Sequence, residues 1–146
     1  MAARDAKEDG VINEHVRAVL ESDTLAHLVT LDEDGSPYVT IVWAGLDGDE
    51  IVCGTLFDQR KLRNVRRDPR VVLSFQTDKT NEMGLREYLV VYGRGTVVEG
   101  GAPELLQELA YTYIGPGVDF PPMPDPPPGY VTRVRVDRLA GIGPWK

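Results

Sequence analysis

The stretch LAHLVTLDEDGSPYVTIVWAGLDGDEIVCGTL, residues 25–56, decides the fold of this chain. Three runs rich in apolar and β-branched residues are separated by Asp34-Gly35 and by Asp47-Gly48. An Asp-Gly pair between such runs is a strong hairpin signal, because glycine accepts the positive φ that a tight turn requires. The sequence therefore predicts three consecutive antiparallel strands, a meander, over Leu25–Leu31, Tyr38–Ala44 and Glu50–Leu56.

Further elements are predicted on both sides of this meander. Apolar residues at helical spacing predict helices over Gly10–Glu21 and Ala102–Tyr113. Apolar or alternating runs predict three more strands, over Val71–Gln76, Arg86–Glu99 and Tyr130–Leu139. We therefore expect residues 1–146 to form one mainly β domain, a six-stranded antiparallel β-barrel with short helices.

Three connecting features carry their own signals. The polar run of residues 78–85 predicts a hairpin loop, and Gly93 and Gly95 predict a bulge or sharp bend in the strand that follows it. Residues 115–129, GPGVDFPPMPDPPPG, hold seven of the 11 prolines. Proline excludes helix and central strand, so this Pro-rich segment is expected to be extended and to lie on the surface.

The composition narrows the class of protein. A formal net charge of −7 on 146 residues argues against general nucleic-acid binding, because a polyanion needs a broad basic face. Cys53 is the only cysteine, which excludes an internal disulfide and a cysteine-based zinc site. No apolar run reaches about 18 residues, and the N-terminal sequence has no signal-peptide pattern. We therefore expect a cytoplasmic protein with no membrane or metal partner.

The stretch DQRKLRNVRRDPRVVLSF, residues 58–75, concentrates positive charge in this acidic chain. It holds six of the 16 basic residues within 11 positions. Asp58 is predicted to cap a helix over Gln59–Arg67, which Pro69 ends. A basic helix is commonly a solvated face, but a helix that begins directly after a strand offers free N–H groups and a favourable dipole to an anion. The pattern therefore favours a ligand that bears phosphate.

The charges of this helix do not all point in one direction. Lys61 lies about 100° round the helix axis from Arg60, so one face can hold phosphate. The other cations, Arg66, Arg67 and Arg70, are expected to pair with acidic side chains.

Catalytic side chains are hard to find in this sequence. His15 and His27 are the only histidines, and each fits a surface or core position better than a general base. The sequence holds no nucleophile elbow, HExxH motif, P-loop or GxGxxG motif, so a cofactor is the expected carrier of any chemistry. Trp43 fits core packing and ring stacking equally well. Trp145 stands near the chain end, and we expect it to dock and to cover a ligand or a partner subunit.

Four segments in this order resemble one known superfamily. They are the N-terminal helix, residues 25–56, QRKLRNVRRDPRVVLSF and YLVVYGRGTVVE. Together they resemble the pyridoxamine-phosphate-oxidase-like split β-barrels, which have an FMN-binding-like fold, and among these the actinobacterial F420-dependent flavin/deazaflavin oxidoreductases. The resemblance covers residues 11–99 and, more loosely, the last strand with GIGPW.

The resemblance implies a cofactor and a mode of assembly. It implies a homodimer with coenzyme F420 in a groove at the subunit interface, and transfer of a hydride from the reduced cofactor to a small unsaturated organic substrate. FMN in the same pocket is the first alternative. A non-catalytic cofactor carrier or sensor is the second, and a purely structural dimer with a fortuitous basic helix is the third.

The resemblance also implies a set of cofactor-binding residues. Arg60 and Lys61 would hold the cofactor phosphate, while Thr55, at the end of the third predicted strand, would support the phosphate or the ribityl chain. Tyr88 would contact the ring from the other subunit. The remaining residues of the set are Val39, Thr40, Ile41 and Val42 along the ring, Gln59, Arg63 and Asn64 in the basic motif, and Trp145 in the tail.

Two features depart from the pattern of the family. Asp58 precedes the basic pair, where a carboxylate would weaken anion binding unless it caps the helix. The Pro-rich segment is unusual, and it is a candidate for a lid or for an extended dimer contact.

Overall fold

The computed structural model describes residues 12–146, so the first residues of the predicted N-terminal helix lie outside the described part of the chain. The helices are α1 (Glu14–Leu20), α2 (Arg60–Arg67) and α3 (Ala102–Tyr113). The strands are β1 (Ala26–Leu31), β2 (Pro37–Val42), β3 (Gly45–Asp47), β4 (Glu50–Thr55), β5 (Arg70–Thr80), β6 (Arg86–Glu99) and β7 (Tyr130–Ile142). The predicted mainly β class is confirmed, with seven strands between residues 12 and 146 in place of six.

All seven strands belong to one antiparallel sheet in the order β2-β1-β5-β6-β7-β4-β3. The two edge strands of this sheet, β2 and β3, are consecutive in the chain, and only Trp43 and Ala44 lie between them. Two residues span at most about 11 Å between Val42 and Gly45. The sheet must therefore curl until its two edges lie side by side, which makes it a split barrel.

The predicted meander is wrong. β2 pairs with β1, whereas β4 pairs with β3 and β7. The Asp47-Gly48 turn does form a hairpin, but it joins β4 to the three-residue strand β3. Turn signals indicate local hairpins, but they do not indicate which distant strand each strand pairs with. Because the apolar run from Tyr38 to Ala44 contains no turn signal, the sequence does not mark the point after Val42 where the chain passes from one edge of the sheet to the other.

The interior of the barrel is filled by apolar residues from the strands and from α1. The fully buried side chains include Leu73, Phe75, Leu89, Val91 and Val134 from three adjacent strands, together with Val16 and Leu20 from α1. The predicted bulge in β6 is confirmed, since its register with β7 shifts between Tyr92 and Gly93. A side chain at Gly93 would press on the carbonyl oxygen of Arg135, so the two backbones approach closely only because the residue is glycine.

The Pro-rich segment ends at a constrained glycine. Gly129 has a φ of +61°, and its carbonyl accepts a hydrogen bond from the N–H of Gly100 at 2.7 Å. A Cβ on Gly129 would lie 2.5 Å from the carbonyl oxygen of Thr55 and 2.7 Å from the Cβ of Ala102. The end of β4 and the start of α3 therefore fit together only around glycine.

We predict that Gly129→Ala lowers the free energy of unfolding by about 2–4 kcal/mol, because it adds steric overlap to an unfavourable φ. Gly35→Ala is the matched control: its φ of +86° is similarly unfavourable, but nothing lies within 4 Å of the added Cβ, so we expect a loss of about 1 kcal/mol. Urea unfolding of the three proteins measures the difference. Equal losses for the two variants would contradict the steric account.

Candidate functional site

A groove of about 370 Å³ lies where the barrel closes, between the end of β2, the end of β4, the start of α2, and α3 with the Pro-rich segment. Its lining residues are Ile41, Val42, Trp43, Gly54, Thr55, Leu56, Phe57, Gln59, Lys61, Leu106 and Phe120. Five members of the predicted cofactor-binding set meet here: Ile41, Val42, Thr55, Gln59 and Lys61. The fold thus brings together residues that are up to 20 positions apart in the sequence.

One end of the groove is polar and lacks internal partners. Thr55 is only 6% exposed, and its Oγ1 has no hydrogen-bond partner among residues 12–146. Lys61 is partly buried, which lowers the pKa of its ammonium group from the usual 10.5, and no carboxylate in the described part of the chain pairs with it. Burial raises the pKa of the nearby Cys53 thiol to about 12, so the thiol stays neutral. The cation and the hydroxyl are therefore available to an anion.

The predicted cap at Asp58 is wrong. Gln59 occupies the N-cap position of α2, with no side-chain hydrogen bond to the helix. The Asp58 carboxylate instead lies 3.0 Å from Nη1 of Arg66. Asp58 is therefore one of the acidic partners that the arginines of the basic stretch were expected to have. The physical reason is that Arg66 competes for the carboxylate, so the first N–H groups of α2 receive no side-chain cap.

Arg60 points away from the groove. Its guanidinium donates two hydrogen bonds to Asp32, at 2.9 and 2.5 Å, and lies 4.2 Å from the centre of the Tyr38 ring. This hydrogen bonding by Arg60, with a smaller contribution from Asn64, lowers the pKa of the Asp32 carboxyl group. The predicted rotation of about 100° between Arg60 and Lys61 thus places only Lys61 at the groove.

Asn64 and Arg63 also lie outside the groove. Asn64 is 3% exposed and donates hydrogen bonds to Thr30 Oγ1 at 3.0 Å and to Asp32 Oδ1 at 2.9 Å. Its own Oδ1 accepts a hydrogen bond from Arg67 at 2.8 Å. Arg63 is exposed. Asn64 therefore fixes α2 to the end of β1, which in turn holds Lys61 in place.

Four further residues of the predicted set do not line the groove within one protomer. Val39 and Tyr88 are exposed on the outer face of the sheet. Thr40 lies on the opposite face of β2 from Ile41, and its buried Oγ1 has no hydrogen-bond partner in the described part of the chain. Trp145 is docked as expected, but into the core: it is 6% exposed, and its Nε1 donates to the carbonyl oxygen of Tyr88 at 2.9 Å.

The apolar end of the groove contains residues that the predicted set omits. Trp43 stacks on Tyr113 with 5.3 Å between ring centroids and 9° between planes, and Phe120 lies 5.1 Å away at 50°. Phe57 and Leu106 complete this end. Phe120 is the single aromatic side chain of the Pro-rich segment, and this was the one sequence feature that could have indicated its place in the groove. Its partner Trp43 lies 77 positions earlier in the chain, so the sequence does not show that the two rings meet.

Two kinds of feature are absent from the described residues, 12–146. No group of three or more His, Cys, Asp or Glu side chains in this range is arranged to hold a metal ion. Within the same range, no helix is long and apolar enough to cross a membrane.

The curled seven-stranded sheet with a groove at its closure places this chain in the class of split β-barrels. Comparison with family models identifies the family: the model described as pyridoxamine 5'-phosphate oxidase matches residues 12–142. The chain belongs to this family. No curated protein sequence matches it.

Solved structures show the same fold. An F420 reductase is 25% identical, with a TM-score of 0.69 over 85% of this chain and 94% of the other. A conserved hypothetical protein from Mycobacterium tuberculosis is 24% identical, with a TM-score of 0.64 over 97% of this chain and 85% of the other. An FAD-binding protein from Mesorhizobium loti is 18% identical, with a TM-score of 0.60 over 85% and 88%. The last two similarities show the fold alone.

We predict that Asn64→Ala lowers the free energy of unfolding by about 1–3 kcal/mol, because it leaves the buried Thr30 hydroxyl without its partner and loosens α2. Arg63→Ala, one position away and exposed, is the control, with an expected change within about 0.5 kcal/mol. Denaturant unfolding measures both. A loss at position 63 as large as the loss at position 64 would contradict the structural role of Asn64.

Proposed function

We propose that this protein is an oxidoreductase that binds coenzyme F420 in the groove, with the cofactor phosphate at the junction of β4 and α2. When bound in its reduced form, the deazaflavin supplies a hydride to a small unsaturated organic substrate. One observation supports this function: between residues 12 and 146 the buried Thr55 hydroxyl has no hydrogen-bond partner and Lys61 has no carboxylate partner, and both residues line the same groove. The 25% identity to an F420 reductase supports F420 as the cofactor.

The polar end of the groove fits a phosphate group. A buried hydroxyl without a hydrogen bond costs about 1–3 kcal/mol, and a phosphate oxygen that accepts from Thr55 removes this cost. The Lys61 ammonium group would add a charge-assisted hydrogen bond. The uncapped N–H groups at the start of α2, beside Gln59, would add further donors. Three kinds of donor are therefore available to the same anion.

The edge strand β2 fits the ring of the cofactor. Because β2 pairs with β1 on one side and with no other described strand, alternate N–H and C=O groups along it point away from the sheet. Ile41 and Val42 line the groove from this strand. Their backbone groups would bind the polar edge of the ring, so this chain orients the cofactor and excludes water without an acid–base side chain.

The outer face of the sheet supports a homodimer. Val39, Val29, Val72 and Tyr92 are successive cross-strand partners on four adjacent strands, so they form one apolar row. Val39 is 58% exposed and Tyr88 is 40% exposed. A contiguous apolar face of this kind is typical of an interface between proteins. We infer that a second copy of the chain covers it and completes the groove, with Tyr88 contributed from the other subunit.

We predict that Lys61→Ala weakens F420 binding about 10–100-fold, because one charged hydrogen bond to the phosphate is lost. Arg63→Ala is the matched control on the same helix: it removes an exposed cation outside the groove and should change the dissociation constant less than about threefold. Fluorescence titration with F420 measures both. If the two variants bind equally well, Lys61 does not hold the phosphate.

The lowered pKa of Lys61 gives the same site a pH signature. As the pH rises, Lys61 loses its charge below the usual lysine pKa of 10.5, so affinity for the anionic cofactor falls in that alkaline range. Lys61→Arg keeps its charge there and serves as the control for the titration. A parallel fall in both proteins would assign the loss to another group.

We predict that Val39→Arg converts the homodimer to a monomer, because it places a charge at the most exposed member of the apolar row, 58% exposed at the β2 end. Tyr111→Arg, at an exposed position on α3, should leave the dimer intact. Sedimentation velocity distinguishes the two states. A wild-type protein that is monomeric at all concentrations, or a Val39→Arg protein that remains dimeric, would contradict this assembly.

A further inference from the structure

Backbone hydrogen bonds to α3 hold both ends of the Pro-rich segment, residues 115–129, and the Gln107 side chain holds its middle. Gln107 Nε2 donates to the carbonyl oxygen of Val118 at 2.8 Å, and Gln107 Oε1 accepts from the N–H of Phe120 at 3.0 Å. A primary amide satisfies one carbonyl and one N–H at once, as a neighbouring β-strand would. The segment is therefore held at the residue that lines the groove, Phe120.

The aromatic partner of Phe120 is also fixed by α3. Tyr113 stacks on Trp43, and its hydroxyl accepts a hydrogen bond from the N–H of Ala44 at 3.0 Å. The same hydroxyl lies 2.9 Å from the carbonyl oxygen of Thr24. Gln107 and Tyr113 thus hold the two rings that meet at a centroid distance of 5.1 Å.

A third residue of α3 shapes the same wall directly. Leu106 packs over Gly54, where a Cβ would lie 3.1 Å from its Cγ. Leu106 can approach β4 this closely because Gly54 has no side chain. One wall of the groove is therefore built from α3 and the segment that α3 holds.

We propose that Phe120, positioned by Gln107, determines which acceptor the groove admits, and that the acceptor is a small, flat, apolar ring. This inference rests on the proposed function, because the reduced cofactor is the hydride donor. The Pro-rich segment then acts as a fixed wall of the site. Phe120 limits the width of the ring that lies against it, and Gln107 is a positioning residue that acts through Phe120.

The chemistry of the wall selects the class of acceptor. The wall residues Leu106 and Phe120 and the neighbouring Trp43 and Phe57 carry no charge, so a charged acceptor would lose hydration there without compensation. Aromatic side chains favour other rings at centroid distances of about 4.5–7 Å. The tilted Trp43–Phe120 pair is a rigid surface of this kind, which an aliphatic chain would use less well.

The test compares two probe acceptors of different width on the same proteins. Menadione has two fused rings and 9,10-phenanthrenequinone has three. Their dissociation constants are measured by quenching of tryptophan fluorescence and checked by equilibrium dialysis, with and without F420, on the wild type, Phe120→Ala and Gln107→Ala. Met123→Ala is the matched control, because Met123 belongs to the same segment but does not line the groove.

We expect the wild type to prefer menadione and Phe120→Ala to reduce that preference about tenfold, while the affinity for F420 changes less than threefold. Gln107→Ala should shift the preference in the same direction and speed the hydrogen exchange of the Phe120 amide, a readout that a change in global stability alone does not reproduce. Met123→Ala should match the wild type.

Three results would overturn the inference: an unchanged preference in folded Phe120→Ala, a large loss of F420 affinity in that variant, or no binding of either quinone. Failure of the proposed function gives a different result: the wild-type protein does not bind F420, whether or not it binds either quinone.

Discussion

The two-residue link between β2 and β3 is the constraint on which the rest of this structure depends. It joins the two edges of a seven-stranded sheet, so the sheet has to close on itself at Trp43 and Ala44. The Tyr113 hydroxyl binds the backbone of this link and the carbonyl oxygen of Thr24. Burial raises the pKa of this hydroxyl, which keeps it protonated and able to donate. α3 therefore stabilises the closure as well as covering it.

The candidate site follows from that closure. Because β2 pairs with no described strand other than β1, its outer edge has no strand partner between residues 12 and 146. Because β4 ends at the same groove, Thr55 and the start of α2 also line it. The charge of Arg60 is neutralised by Asp32 and that of Arg66 by Asp58. An acidic protein can thus carry a basic helix and still leave Lys61, at the groove, without a carboxylate partner in the range 12–146.

Local signals in the sequence predicted much of this fold. The bounds of β6 and α3 agree with the sequence prediction, because each has a long, regular pattern and clear breakers on both sides. The pairing of β4 with β7 and the break after Val42 were not predictable, since they depend on contacts between distant strands. The same limit applies to the site: the basic motif indicated Lys61, whereas Phe120 comes to the groove only through the long-range contacts of α3. The predicted helix cap at Asp58 was wrong because the sequence is equally compatible with a cap and with an ion pair between Asp58 and Arg66.

The central claim is that the groove binds F420 through its phosphate, with FMN as the competing cofactor of the same fold. Titration of the purified wild-type protein with F420 and with FMN, under identical conditions and followed by cofactor fluorescence, tests this claim most directly. We expect F420 to bind at least about tenfold more tightly than FMN. A protein that is yellow as isolated, retains FMN and shows no affinity for F420 would contradict it.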